Sequence, residues 1–160
     1  MNSIKNVLPS KSSRFKQGFF IPKNPQKYIG KLPIIYRSSW ERKCCVEFDV
    51  NTTILKWASE PFPVSYFSIL DNKFHNYYPD FYITMQTKTG IVEYVVEVKP
   101  KSQLMKPVPP KRNTKKLLES YKYAYEHYVR NLCKIDALRK FALERKFEVM
   151  LITEESKLFA

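Results

Sequence analysis

Glycine, histidine and cysteine are scarce in this chain, with three, two and three of them in 160 residues. So little glycine leaves no glycine-bearing nucleic-acid loop, and there is no RNP-like aromatic motif, which argues against an RNA-binding module. Two cysteines are adjacent (Cys44 and Cys45) and the third stands alone at Cys133, so no disulfide framework can be read from them. Zinc is excluded on spacing: no C-x-x-C occurs, and His75 and His127 lie far apart. Cysteines used in this way fit a reducing compartment, with Cys44 as a small core residue on a helix face. There is no apolar run of eighteen residues and no charged-then-apolar leader, so neither a membrane span nor secretion is expected. Negative charge is also short. Lys and Arg number 28 against 15 Asp and Glu, a formal charge of +13 with a pI near 9.6. A field of that strength gathers a polyanion, and nucleic acid is the leading partner; a charge kept only for solubility is the plainer alternative.

The length fits one domain. Residues 1–31 hold Lys5, Lys11, Arg14, Lys16, Lys23, Lys27 and Lys31 and no acid. They read as an irregular basic arm that orders against DNA, against a protein partner, or around its own domain, with Phe19, Phe20 and Ile21 as docking residues. The rest, 32–160, reads as one folded domain. Ser38 followed by Glu41 is a capping-box pattern, and Trp40, Cys44 and Phe48 make a helical stripe that should end near Asp49 to Asn51. Short strands follow at 54–58, 64–67, 74–78, 81–85 and 91–98, with turn signals at Asp71-Asn72 and Lys88-Thr89-Gly90. Pro61 and Pro63 around Phe62 suggest an edge or a crossing, and 92–98 is the best central strand. Residues 101–112, with Pro107, Pro109 and Pro110, form an extended basic loop whose length suggests function. Thr114 caps a helical pattern through Leu117, Leu118, Tyr121, Tyr125 and Tyr128. A second pattern, Leu132, Ile135, Leu138, Phe141 and Ala142, follows without a break, so 114–146 is one long helix or a pair. Residues 147–152 make a last strand. This order predicts an α/β fold, a mixed central sheet flanked by helices.

Two short stretches carry the chemistry: Tyr77-Tyr78-Pro79-Asp80-Phe81 and Val96-Glu97-Val98-Lys99-Pro100. On a strand, Glu97 and Lys99 share one face and Val98 the other. If the strand carrying Asp80 pairs alongside, Asp80, Glu97 and Lys99 converge. Neighbouring carboxylates need a cation, and hard oxygen ligands suit Mg2+ or Mn2+. A lysine beside that ion can orient water or offset charge building on phosphorus. Taken singly, E-x-K on a strand is ordinary alternation and Pro-Asp an ordinary turn; the pair across a turn, with Glu41 ahead of it, is what points to phosphodiester cleavage. Glu41 has a rival role as the capping-box acid, bonding the backbone of Ser38. Arg37, Lys101, Lys106, Lys111 and Arg112 are candidate phosphate contacts, in competition with plain solvated charge. His75, and Tyr77, Tyr78 and Tyr82 as stacking residues, are weaker DNA candidates, since strand aromatics more often pair across a sheet.

The order Glu41, Pro79-Asp80, Glu97-x-Lys99 resembles the PD-(D/E)xK nuclease superfamily. The words around it, PKNPQKYIG (22–30), YRSSWE (36–41), KWASE (56–60), YPDF (78–81) and VEVKPKSQ (96–103), resemble the head-completion nucleases of T4-like tailed phages. That family is related in fold to the N-terminal nuclease domain of the TnsA transposition endonuclease. The likeness covers about residues 22–103 strongly and the later helices in character only; some TnsA-type members carry Gln where this chain has Glu97. It implies a restriction-endonuclease-like core, metal binding at Asp80 and Glu97, catalysis at Lys99 and a supporting acid at Glu41. It further implies an Mg2+- or Mn2+-dependent endonuclease acting on double-stranded DNA, with no small-molecule cofactor. Such proteins finish the head vertex after packaging, so portal or neck proteins are expected neighbours and the virion's head–neck vertex, or host cytoplasm during assembly, the expected place. Two alternatives stand beside it: a catalytically silent neck or head-vertex DNA-binding protein, and a stand-alone junction-resolving or repair nuclease.

Overall fold

The computed structural model describes residues 16–157. Its order is β1 (Gly18–Phe20), a single 3-10 turn (Pro25–Lys27), β2 (Ile34–Tyr36), α1 (Ser39–Val50), β3 (Ile54–Ser59), β4 (Val64–Ser68), β5 (Lys73–Tyr77), β6 (Phe81–Thr87), β7 (Gly90–Val98), α2 (Lys101–Leu104), α3 (Lys115–Arg145) and β8 (Glu148–Ile152). Four strands form the central sheet in the order β3-β6-β7-β8. β3 and β6 pair antiparallel, as do β6 and β7, while β8 runs parallel to β7. The sheet is therefore mixed and is flanked by helices, as the pattern of elements predicts. β7 is its most enclosed strand, with Val95 to Val98 all buried.

Alternation along β7 sends Val96 and Val98 to one face and Val95 and Glu97 to the other. The first face is covered by α1: Cys44, Cys45 and Phe48 pack with Trp57, Phe81, Ile83 and Val96. Trp57, wholly buried, is ringed by Phe20, Tyr28, Phe48 and Phe81. Burying a side chain of that size stabilises the fold by about 2–3 kcal/mol. The second face is covered by α3, whose Leu138 packs with Val95, and by the β4–β5 hairpin, which brings Val64, Tyr66 and Tyr77.

Two strands expected in one sheet thus form a separate hairpin. The Pro61-Phe62-Pro63 crossing is responsible: it lifts the chain out of the ladder and drops Phe62 against Phe141, rings stacked at 4.9 Å. Asn72 takes the left-handed conformation (φ 55°) in the turn between β4 and β5, a geometry its short amide tolerates. The two helical patterns after Thr114 are one helix, capped by the Thr114 hydroxyl accepting from Leu117 N. The proline-rich loop begins with one helical turn, α2, before it becomes irregular.

Residues 16–31 wrap the domain. β1 pairs with β2, and Ile29 N donates to Trp57 O at 2.9 Å. Lys27 Nζ donates to the carbonyls of Phe48, Asp49 and Asn51, each at 2.8 Å, closing the C-terminal end of α1. Asp49, fully buried, accepts from the backbone of Lys23 at 2.7 Å and of Asn24 at 3.1 Å. The basic residues Lys5, Lys11 and Arg14 lie outside the described residues.

Candidate active site

The acids meet where β6 begins and β7 ends. The ladder pairs Phe81 with Val96, and one step further sets Asp80 directly across from Glu97, on the face that looks toward α3. Val98 N donates to Asp80 Oδ2 at 2.7 Å, which fixes the carboxylate. Glu97 is 3% exposed. Its Oε1 holds Lys99 Nζ at 2.9 Å. Its Oε2 is buried and, among the described residues, has no hydrogen-bond partner. Leaving a buried acceptor unsatisfied costs about 1–3 kcal/mol, so this oxygen marks a position built for something other than folding. Lys99 is set by its own backbone, whose N–H donates to Ile152 O of β8 at 2.9 Å.

The charges respond to this crowding. Burial, then the charge of Glu97, holds Asp80 well above its ordinary value of 3.8; Lys99 and the Val98 N–H pull the other way. Asp80 keeps some surface open at the rim of the site, so it is reachable although surrounded. Burial lowers the Lys99 pKa, but Glu97 and Asp80 together outweigh it and the ammonium sits above its ordinary 10.5. Lysine is thus held charged between two carboxylates.

Glu41 accepts from Arg37 N at 2.7 Å and lies 3.1 Å from the Ser38 hydroxyl, while its own N–H donates to Ser38 Oγ at 3.1 Å. The capping box is present with its return bond moved one residue: the acid takes the N–H of Arg37, not that of Ser38. The same carboxylate is close enough to raise the pKa of both Asp80 and Lys99. Burial, opposed by its bonds to Arg37 and Ser38, raises its own. The capping acid thus lies within electrostatic reach of Asp80 and Lys99.

The candidate phosphate contacts divide. Arg37 is forked onto Glu60, at 2.9 and 3.4 Å. Lys101 pairs with Glu155 at 2.6 Å, and its backbone N–H donates to Glu154. Lys106, Lys111 and Arg112 are exposed on the loop before α3. His75 pairs with Asp71 at 2.7 Å, away from the acids. Tyr77 is buried and donates its hydroxyl to Lys134 O at 3.1 Å, so it serves packing; Tyr82 bonds the Glu93 carboxylate. Tyr78 is exposed.

The sequence pattern does not reveal the contribution of α3. Its buried stripe is Asn131, Ile135, Leu138 and Ala142, and the polar member of that stripe is the one available signal. Asn131 Nδ2 donates to Gln103 O at 3.3 Å and lies 3.5 Å from His127 Nδ1. One turn toward Leu138, Lys134 feels Lys99, Glu97 and Asp80.

Two carboxylates, one with an orphaned oxygen, fit a hard divalent ion. Among the described residues no three His, Cys, Asp or Glu form a ready-made metal cage. Mg2+ needs none: it keeps several waters and takes one or two carboxylates together with substrate phosphates.

A family described as TnsA-like endonuclease N terminal matches residues 51–154, a span that contains Asp80, Glu97 and Lys99. The head completion nuclease of Enterobacteria phage T4 is similar to this chain, 31% identical over 139 residues that cover 86% of this chain and 91% of that relative.

Proposed function

The chain belongs to the TnsA-like endonuclease family, and from that premise we propose that it is a divalent-metal-dependent DNA endonuclease of phage head completion. Double-stranded DNA is its substrate. In this reading it acts at the head–neck vertex after packaging, beside portal or neck proteins; the likeness to a head completion nuclease supports the head-completion role. The observation that carries the chemistry is the unpartnered Glu97 Oε2, on a residue opposite Asp80 in the register, with Lys99 Nζ 2.9 Å from the other oxygen.

In this reading Asp80 and Glu97 would hold the Mg2+ or Mn2+, as one ion or two. When bound, the ion supplies a water of lowered pKa and neutralises charge on the phosphate. The Val98 N–H aims the Asp80 carboxylate. Lys99 is kept protonated by the acids beside it, so it is a fixed positive charge for the phosphate oxygens as the attacking oxygen bonds to phosphorus and the ester bond breaks. Glu41 steadies that charge from α1. Exposed Lys106, Lys111 and Arg112 bind backbone phosphates without reading bases.

The test is cleavage of linear and branched DNA by the purified protein with Mg2+ or Mn2+, with and without EDTA, beside Lys99→Ala. Metal-dependent cutting that disappears in the variant supports the nuclease. DNA binding without cutting under either metal refutes it in favour of a structural completion factor.

A further inference from the structure

Four polar residues of α3 share one face, at His127, Arg130, Asn131 and Lys134. Their place follows from the packing. Leu138 lies against Val95 of β7, so one turn back along the helix Lys134 comes beside Glu97, two residues along the same strand face. The charges of Glu97 and Asp80 reach Lys134, and that of Lys99 reaches both Lys134 and His127. The Lys134 ammonium is fixed over two rings, 5.2 Å from the centroid of Tyr77 and 5.7 Å from that of Tyr66. The Tyr77 hydroxyl, bonded to Lys134 O, locks the helix at this level. A cleft of about 440 Å³ continues the face, lined by Ser102, Gln103, Tyr123, His127 and Tyr128.

No local purpose accounts for the charges. Among the described residues neither Arg130 nor Lys134 has a carboxylate within ion-pair distance. The two cations and Lys99 repel one another in a half-buried place, and burial together with that repulsion lowers the Lys134 pKa. Glu97 and Asp80 attract Lys134, but burial and the neighbouring cations prevail over them, an arrangement that an anion arriving from outside would relieve. Cation–π contact offsets part of the cost, but it does not explain why Arg130 stands beside Lys134.

We propose that this face of α3 is a phosphate-binding subsite, in which Lys134 and Arg130 each receive one DNA backbone phosphate flanking the scissile one. His127 and Asn131 form its floor toward the cleft. The subsite rests on the nuclease reading, since its ligand is the strand held at Asp80 and Glu97. It adds to that reading a second anchor, on a helix that the sequence pattern marks only as packing.

The experiment measures binding of the full chain to a short blunt DNA duplex in EDTA, as a function of salt. Wild type is compared with Lys134→Met, Arg130→Gln and Lys134→Arg, with circular dichroism to verify folding and a parallel cleavage assay in Mg2+. Each phosphate left without its cation reduces the slope of log affinity against log salt by about 0.9, so Lys134→Met and Arg130→Gln should each show that drop and Lys134→Arg should restore the wild-type slope. If Lys134→Met fails to fold, Arg130→Gln decides alone. A folded Arg130→Gln with an unchanged slope, while wild type binds and cuts, overturns the subsite and leaves the nuclease standing. Wild-type protein that neither binds nor cuts DNA overturns both.

Discussion

Asp80→Asn should make the metal-free protein more stable while destroying its cleavage. The exchange keeps volume and keeps an oxygen to accept from Val98 N, now bonded at 2.7 Å. Lys99 retains Glu97 as its close partner at 2.9 Å. What disappears is a crowded carboxylate and its repulsion with Glu97 and Glu41. What appears is an amide donor directly across the ladder from Glu97, whose Oε2 lacks one. Relieving strain held for function contributes about 1–2 kcal/mol, and satisfying the buried acceptor about 1 kcal/mol more. A total of about 2–3 kcal/mol raises Tm by about 4–12 °C for a chain of this size. The pH dependence has a definite sign. Because the folded Asp80 pKa is raised, its contribution to stability is full below the unfolded value near 3.8 and is lost as pH rises through the folded value. Asn does not titrate, so the gap should be smallest in acid and widen toward neutrality. Thermal unfolding in EDTA across that range is the assay, and Mg2+ should narrow the gap by stabilising wild type alone. A variant no more stable than wild type at neutral pH, or a gap that ignores pH, would refute this reasoning.

Three further perturbations follow from other parts of the fold. Lys27→Met removes three bonds to the end of α1 and should cost about 2 kcal/mol, seen as a lower urea midpoint at unchanged slope; an unmoved midpoint would show that the wrapping segment contributes nothing there. Glu41→Ala should cost about 1 kcal/mol through α1 capping. Glu41→Gln, which keeps an oxygen for Arg37 N, should fold normally yet cut DNA about tenfold more slowly; full activity in Glu41→Gln would leave Glu41 a cap alone. Burial pushes the Cys45 thiol up to about 12 and that of Cys44 further still, whereas Cys133 is partly exposed. A thiol reagent followed by mass spectrometry should therefore label Cys133 first in the native protein, and early labelling of Cys44 or Cys45 would contradict the packing of α1.

Local rules and long-range packing share the determination of this fold unequally. The start of α1 is written in Ser38 and Glu41, and its end at Asn51 falls where the apolar stripe stops. The convergence of Asp80, Glu97 and Lys99 is legible because strand alternation and one turn suffice to bring them together. Asp49 is not: it marks only a helix end, while its buried carboxylate serves backbone donors 25 and 26 residues away. Nor is the separation of the β4–β5 hairpin from the central sheet, because the pattern of a strand does not state which sheet receives it. Lys134 is hidden for the same reason. Its spacing places it beside an apolar stripe, and only the docking of α3 on β7 turns it toward the acids.

The parallel pairing of β8 with β7 gives this chain a schedule. Lys99 is anchored by the carbonyl of Ile152, and Lys101 by Glu154, 53 positions further on. On a ribosome, the strand that bears the acids is therefore made long before the strand that steadies them, with the whole of α3 between. Pairings so distant in sequence form late. A chain interrupted before Glu148 lacks both the parallel neighbour of β7 and the carbonyl that receives the Lys99 N–H.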